Sequence, residues 1–360
     1  MKQNCFKFIS FLFLWLFLVA CGSPNEEIDS VEESLENSSL EKLEVFTTIF
    51  PLEDFTRKIG GDHVNVTNIV PTGADAHSFE PTARTMISIA EGDAFIYNGA
   101  GFEGFTDAVV NSLSDTDVAI LKATKDINLI SAVHDDEHEE HGLEDEHGLE
   151  EEHGIHGDED EHGLEEDHGT HEDEHDEASE GDEHIHSDED PHVWLDPILS
   201  IKLAENIKDL LVELKPDEKE EFESNFLILK EELEDLDNEF RTMVDQVTSD
   251  TFIVSHAGYG YWEARYGLNQ IGISGLSPSN EPSQKQIEEI IEYATTHNIN
   301  YVLFEQSFTS KVAQVIKDEV GAETLILHNL EAATDEDIAN GDDYFSLMRQ
   351  NIETLRQALN

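Results

Sequence analysis

The chain has 360 residues, with 20 Lys+Arg against 82 Asp+Glu and a formal net charge of −62 at pH 7. A surplus of this size argues against nucleic acid or an anionic membrane surface as a partner and suits the attraction of cations. The length accommodates two domains of ordinary size.

The amino terminus reads as a targeting segment. Lys2 and Lys7 precede an almost wholly apolar run from Phe8 to Ala20, too short to span a bilayer comfortably but suited to a signal-peptide core. Leu18-Val19-Ala20-Cys21 resembles a bacterial lipobox, which implies cleavage after residue 20 and acylation of Cys21. A polar, linker-like tether then runs to residue 42. Cys5 leaves with the signal, so the mature chain has no pair for a disulfide and its fold rests on packing.

From residue 43 strand and helix signals alternate. Leu43–Phe50 and Val64–Val70 read as strands, with a short helical piece, Phe55–Ile59, between them. Pro81–Glu91 has helical spacing, and Ala94–Asn98 and Val118–Leu121 are strand-like. This alternation predicts a parallel sheet covered by helices, an α/β lobe over 43–133.

A tract of different character follows. His134 to Asp190 holds 12 of the 18 histidines and 29 acidic residues in 57 positions, with no Lys or Arg. Taking those acids away still leaves the rest of the chain at −33. Too few large apolar residues are present to offset the entropy of ordering, which predicts disorder and a root-mean-square span of roughly 40 Å. Imidazole with carboxylate is a donor set for zinc, and the tract histidines (His134, His138, His141, His147, His153, His156, His162, His168, His171, His175, His184 and His186) form a candidate accessory metal loop. Either the tract collects zinc at many weak sites, or senses it, or it is a solvated charged loop. A collecting role needs neutral imidazole and fails below about pH 6. His171 to His175 spells H-E-x-x-H, but its flanks offer no apolar face for a packed zincin helix, and the match is expected by chance in such a composition.

Beyond the tract, Asp196-Pro197 reads as an N-cap with proline at the first helical position, and the helix continues to about Leu214. Pro216 opens a longer helix to about Val247, with Phe222, Phe226, Leu229, Leu233, Leu236 and Phe240 on one face. A rod of about 45 Å suits a spine between two lobes. The alternation then restarts over 248–360 with Thr251–Ser255, Ile287–His297, Tyr301–Phe304, Ser310–Val320, Thr324–Leu327 and Asp342–Leu359. The expected architecture is two α/β lobes joined by a long helix, with 191–215 completing the first.

Six histidines lie outside the tract: His63, His77, His192, His256, His297 and His328. His77 follows a strand in "PTGADAHSFEPT", and His256 follows another in "FIVSHAGYGYWEARYGL". Ligands in open α/β sheets bind beyond the carboxyl ends of strands, where these two fall. His192 stands in "DPHVWLDP", just before a helix start. Three neutral imidazoles suit Zn²⁺, whereas Ca²⁺ or Mg²⁺ would want oxygens. His63 and His297, in turn-like sequence, read as surface residues.

"GADAHSFEPT", "DPHVWLDP", "VSHAGYGYWEARYGL", "SGLSPSNEPS", "VLFEQSFTSKVA" and "DYFSLMRQNIETLRQAL" occur in an order that resembles the metal-specific solute-binding proteins of bacterial ABC importers. Zinc-specific members of that group carry a His- and acid-rich loop. The resemblance covers about Leu43 to Leu359 apart from the tract. It implies two (β/α) lobes linked by a rigid backbone helix, metal in the interlobe cleft, and His77, His192 and His256 as metal ligands. Manganese-selective members resemble this chain except for a carboxylate at the third position, so His256 favours zinc. At the fourth position Glu331 matches a glutamate of some zinc binders; His328 and water are the alternatives. Glu305, after strand Tyr301–Phe304, is placed to orient an imidazole.

The implied function is an extracytoplasmic receptor, monomeric and lipid-anchored through Cys21, that delivers Zn²⁺ to an ABC permease without catalysis. Three rivals stand: a manganese or iron receptor of the same group, a surface adhesin with a metal site, and a metallohydrolase using Glu80 as its base.

Overall fold

A computed structural model describes residues 42–131, 189–306 and 310–360. The signal segment, Cys21, the tether and all twelve tract histidines lie outside the described residues.

Two four-stranded sheets, every pairing parallel, form the frame. The first has β1 (Leu43–Thr47), β2 (Val64–Asn68), β3 (Ala94–Tyr97) and β4 (Ala119–Lys122) in the order β2-β1-β3-β4. Between them run α1 (Phe50–Gly60), α2 (Ala83–Ala90) and α3 (Thr106–Ser112). The second sheet repeats the plan with β5 (Thr251–His256), β6 (Asn269–Ser274), β7 (Tyr301–Phe304) and β8 (Glu323–Ile326) in the order β6-β5-β7-β8. Its helices are α6 (Gly260–Tyr266), α7 (Gln284–His297) and α8 (Lys311–Val320). Two helices run between the sheets in sequence, α4 (Pro197–Leu214) and α5 (Lys219–Val244), and α9 (Asp335–Asn340) and α10 (Tyr344–Ala358) close the chain. No helix among the described residues is long and apolar enough to cross a membrane.

Several boundaries move for physical reasons. Helix α1 starts at Phe50 rather than Phe55, because Pro51 sits in its first turn, where the missing N–H costs nothing. The apolar run Val45–Leu52 hides that change of period. The short pieces α3, α6 and α9 and the edge strand β6 carry little periodicity and escape sequence reading. Gly272 interrupts β6 because a Cβ there would lie 2.6 Å from that of Ala257. The spine α5 has 26 residues, about 39 Å, since Pro216–Glu218 forms a separate 3₁₀ turn before it. Asp190, which composition alone assigns to the disordered tract, is buried. Its N–H donates to Ile130 O (2.9 Å), and Ser131 and Glu189 form an antiparallel bridge at the base of the tract.

One hydrophobic cluster spans both lobes, and a second, smaller one (Ile253, Ile273, Ile290, Val302, Ile316) lies within the second lobe. The spanning cluster runs from Val45 and Phe55 through Leu229, Leu233 and Phe240 of α5 to Trp262, Leu327 and Leu355. Across it Phe55 meets Tyr344 edge-on at 4.9 Å, Lys58 pairs with Asp343 at 2.8 Å, and the Tyr344 hydroxyl donates to Trp194 O at 2.7 Å. Lobes with separate cores and a small polar interface would hinge; a common apolar core holds these two in register.

Asp196 links α4 to that core. Its carboxylate accepts the N–H groups of Ile198 (2.8 Å) and Leu199 (3.1 Å) and pairs with Arg265 of α6. Asp196→Ala is expected to lower stability by about 1–3 kcal/mol, through the lost cap and the stranded guanidinium, and Asp196→Asn by less. Urea denaturation midpoints of the metal-free proteins check this.

Candidate metal centre

Four side chains from distant segments converge between the sheets. His77, His192, His256 and Glu331 each bring one ligand atom within 4.8 Å of all the others. Glu331 Oε1 lies 3.4 Å from His77 Nε2, 3.7 Å from His192 Nε2 and 3.9 Å from His256 Nε2, and the last two nitrogens are 3.3 Å apart. A tetrahedral ion with bonds of about 2.0–2.1 Å has ligand–ligand edges of roughly 3.4 Å, so these separations fit one shared ion. His77 Nε2 and Glu331 Oε1 are both buried and have no hydrogen-bond partner. Buried polar atoms are rarely left so, and a cation between them satisfies both. Side-chain exposure is 10% for His77 and at most 4% for the other three, so the path from solvent lies past His77. Beside the cluster is a small cavity of about 40 Å³ lined by Asp75, Glu305, Gln306, Asn329 and Glu331.

The backbone presents three of the four donors by one device. His77 N–H donates to Asp75 Oδ1 (3.0 Å), His192 N–H to Asp190 Oδ1 (2.9 Å) and Glu331 N–H to Asn329 Oδ1 (3.1 Å). In each case an Asp or Asn two residues upstream folds the chain into a tight turn that turns the donor inward. The fourth, His256, ends β5, the strand where the order of the second sheet reverses. Gly258 stands against it: a Cβ there would come 2.5 Å from His256 Nε2 and 3.3 Å from His192 Nε2. Only glycine lets the backbone pass so close to the centre.

Carboxylates set the aim of two rings from behind. Asp190 Oδ1 accepts from His192 Nδ1 (2.8 Å), and Glu305 Oε1 contacts His256 Nδ1 while also accepting from Ser255 Oγ (3.0 Å). A carboxylate acceptor fixes the proton on Nδ1, leaving the Nε2 lone pair facing inward. Trp194 Nε1–H donates to Asn329 O (2.9 Å), joining the His192 turn to the Glu331 segment, and Phe50 N–H donates to Glu331 O (3.0 Å) from the first lobe.

A family model described as "Zinc-uptake complex component A periplasmic" (ZnuA) matches residues 45–358. The chain belongs to this family. It is 33% identical over 343 residues to the zinc-binding lipoprotein AdcA of Streptococcus pneumoniae R6, covering 95% of this chain and 58% of that protein. It is 32% identical over 345 residues to the high-affinity zinc uptake system protein ZnuA of Bacillus subtilis 168, covering 96% and 94%. The chain spans a little over half the length, 56–58%, of the streptococcal relatives it matches. The solved structure of the Zn(II)-bound ZnuA-like domain of S. pneumoniae AdcA resembles it with a TM-score of 0.65 at 30% identity, over 88% of this chain and 99% of that one.

The family resemblance put Glu331 first at the fourth position, with His328 or water as alternatives, and the fold brings Glu331 to the three imidazoles. His328 lies outside the cluster with both ring nitrogens engaged, Nε2 with Asp337 (3.2 Å) and Nδ1 with the Leu330 N–H (2.9 Å). It braces the bend at Leu330, a buried non-glycine residue at φ 61°, from which Glu331 projects. Glu80 is exposed and is not among the clustered side chains. His297 is exposed on Tyr293, whereas His63, read from sequence as a surface residue, is half-buried beside two glutamates. Asp190 was masked by the acid-rich composition before it, although the Asp-x-His spacing it shares with Asp75 and His77 is visible in sequence.

Burial and charge set the protonation of the metal-free centre. Burial alone would depress His256, but Glu305 outweighs it, with Glu331 and Asp190 adding, and raises it to about 9. His192 is lowered, chiefly by burial, and so stays neutral at pH 7. Burial alone would raise Glu331; the rings of His77, His256 and His192 overcome it and hold the carboxyl at about 2. A cation must therefore expel a proton from His256 at neutral pH. Zinc binding at pH 7–8 is expected to release about one proton per ion, with affinity falling about tenfold per unit as pH drops below about 9 and levelling off above it. Calorimetry in buffers of different ionisation enthalpy measures the proton count.

Proposed function

We propose that this chain is an extracytoplasmic receptor that captures Zn²⁺ between its lobes and passes it to the permease of an ABC importer. The carrying observation is the pair of buried, partnerless atoms, His77 Nε2 and Glu331 Oε1, facing each other across the converging imidazoles. In this reading His77, His192, His256 and Glu331 are the ligands. Three nitrogen donors suit zinc better than hard cations, and the single carboxylate offsets half of its charge. Affinity follows from donors held ready by a shared core, so little ordering is needed when the ion arrives. Release needs one donor to move away. His77 is the natural one, since its loop is the most exposed of the four and belongs to the first lobe, while Glu331 and His256 belong to the second. Acylated Cys21 tethers the receptor to the membrane, and the tract histidines gather zinc at weak sites near the mouth of the cleft. The lipoprotein name of the pneumococcal relative supports the anchor.

Replacing His77, His192 or His256 by Ala, or Glu331 by Gln, is expected to weaken zinc binding by more than about 100-fold, beyond the 10–100-fold typical of groups behind the ligands. Competition titration against a chromophoric chelator reads this, and unchanged tight binding in all four variants would sink the assignment. The same titration with Mn²⁺ as competitor separates a zinc from a manganese receptor.

The tract is separable only up to a defined point. Deleting residues 134–188 is expected to reduce total bound zinc and leave one tight site. Extending the deletion through Asp190 removes the partner of His192 Nδ1 and is expected to weaken that tight site by about 10–100-fold. Equal affinities for the two deletions would show that Asp190 does not hold the ring.

A further inference from the structure

A second group of metal-binding residues lies away from the cleft, where the first lobe meets the start of the spine. His63 closes the 3₁₀ turn Gly61–His63 between α1 and β2; Glu218 ends the turn Pro216–Glu218; Glu221 lies in the first turn of α5. His63 Nε2 is 3.5 Å from Glu218 Oε2 and 3.2 Å from Glu221 Oε2, and one ligand atom from each of the three lies within 4.8 Å of the others. These are again the edges of a tetrahedron around an ion with bonds near 2.0–2.1 Å. One imidazole N–H can satisfy one carboxylate well, whereas an ion serves all three donors at once.

The surroundings hold this arrangement from both sides. The His63 ring packs edge-on against Phe222 (centroids 5.8 Å, 81°), which keeps Nε2 turned towards the acids. Asn225 Nδ2 donates to Ile59 O at 3.0 Å and clamps the turn to α5. Gly61, at φ 53°, leaves Glu221 Oε1 only 3.4 Å from the position a Cβ would take. Glu218 occupies the N-cap position of α5 yet makes no side-chain capping bond; its carboxylate is turned to His63 instead. Lys219, in the same turn, pairs with Glu223 at 3.5 Å rather than with these acids.

We propose that His63, Glu218 and Glu221 form a second site for a divalent transition-metal ion, with solvent completing the coordination. One nitrogen and two carboxylates suit Zn²⁺ and its neighbours in the same series. The ion would staple the turn after α1 to the start of the spine. It would bind more weakly than the cleft because Glu221 is half-exposed and one donor is missing.

The test uses the full chain with zinc as the probe. Equilibrium dialysis at fixed free zinc counts ions on the unaltered protein and on His63→Ala, Glu221→Gln and His297→Ala variants. Metal-free melting temperatures establish that each variant folds. The expected result is one ion fewer per chain for His63→Ala and for Glu221→Gln, and no change for His297→Ala, whose ring stacks on Tyr293 and belongs to neither donor cluster. Because the comparison is a difference, ions held by the cleft or the tract cancel. An unchanged count in His63→Ala would overturn the site and leave a hydrogen-bonded contact only. An equal loss in His297→Ala would overturn it as unspecific histidine binding.

Discussion

Four donors held at one point, with their lone pairs facing each other, is the constraint on which the rest of this structure depends. With every lone pair free such a group is self-repelling and poorly solvated, so it must be imposed by its surroundings. The imposition is visible at each donor. Asp190 and Glu305 press on the far nitrogens of His192 and His256, Asx turns bend the chain into His77, His192 and Glu331, and Gly258 gives up its side chain for room. The raised His256 and depressed Glu331 show opposite charges attracting across the same space, so that in the metal-free centre a proton on His256 takes part of a cation's place.

Those supports are useful only on a frame that does not flex. The apolar cluster that runs through α5 joins both sheets, and the cross-lobe links at Phe50–Glu331, Lys58–Asp343 and Tyr344–Trp194 lie along it. A receptor that closed by a wide hinge would have to expose that core. In the proposed receptor, capture and release would therefore fall to the loops, above all the segment carrying His77.

Charge acts at a different range from coordination. The net charge of −62 draws cations from a distance, but salt screens it over about 8–10 Å, and it cannot choose among divalent ions. In the proposed receptor, choice would belong to the cleft, where three imidazoles and one carboxylate are buried together. The His63 cluster lies between these extremes, with similar donor spacing but open to water on one side.

The alternation of strand and helix, the long apolar stripe of α5 and the placing of His77 and His256 after strands were legible in sequence, because each rests on local periodicity or on chain order. Three of the four clustered donors stood in recognisable motifs. Glu331 was preferred over His328 only on the family resemblance: three residues apart in one loop, they are set apart in space by the bend at Leu330, which turns one inward and leaves the other on Asp337. Asp190 was hidden because composition is an average, and an average over an acidic tract cannot single out the one acid that packs. The shared core and the meeting of His63 with Glu218 and Glu221 were likewise invisible, since no period relates residues some 150 positions apart. Sequence by itself determined the longer elements, the charge and the donor types. Tertiary structure alone decided which donors meet, because a coordination site is a set of distances of a few ångströms between segments that only packing brings together.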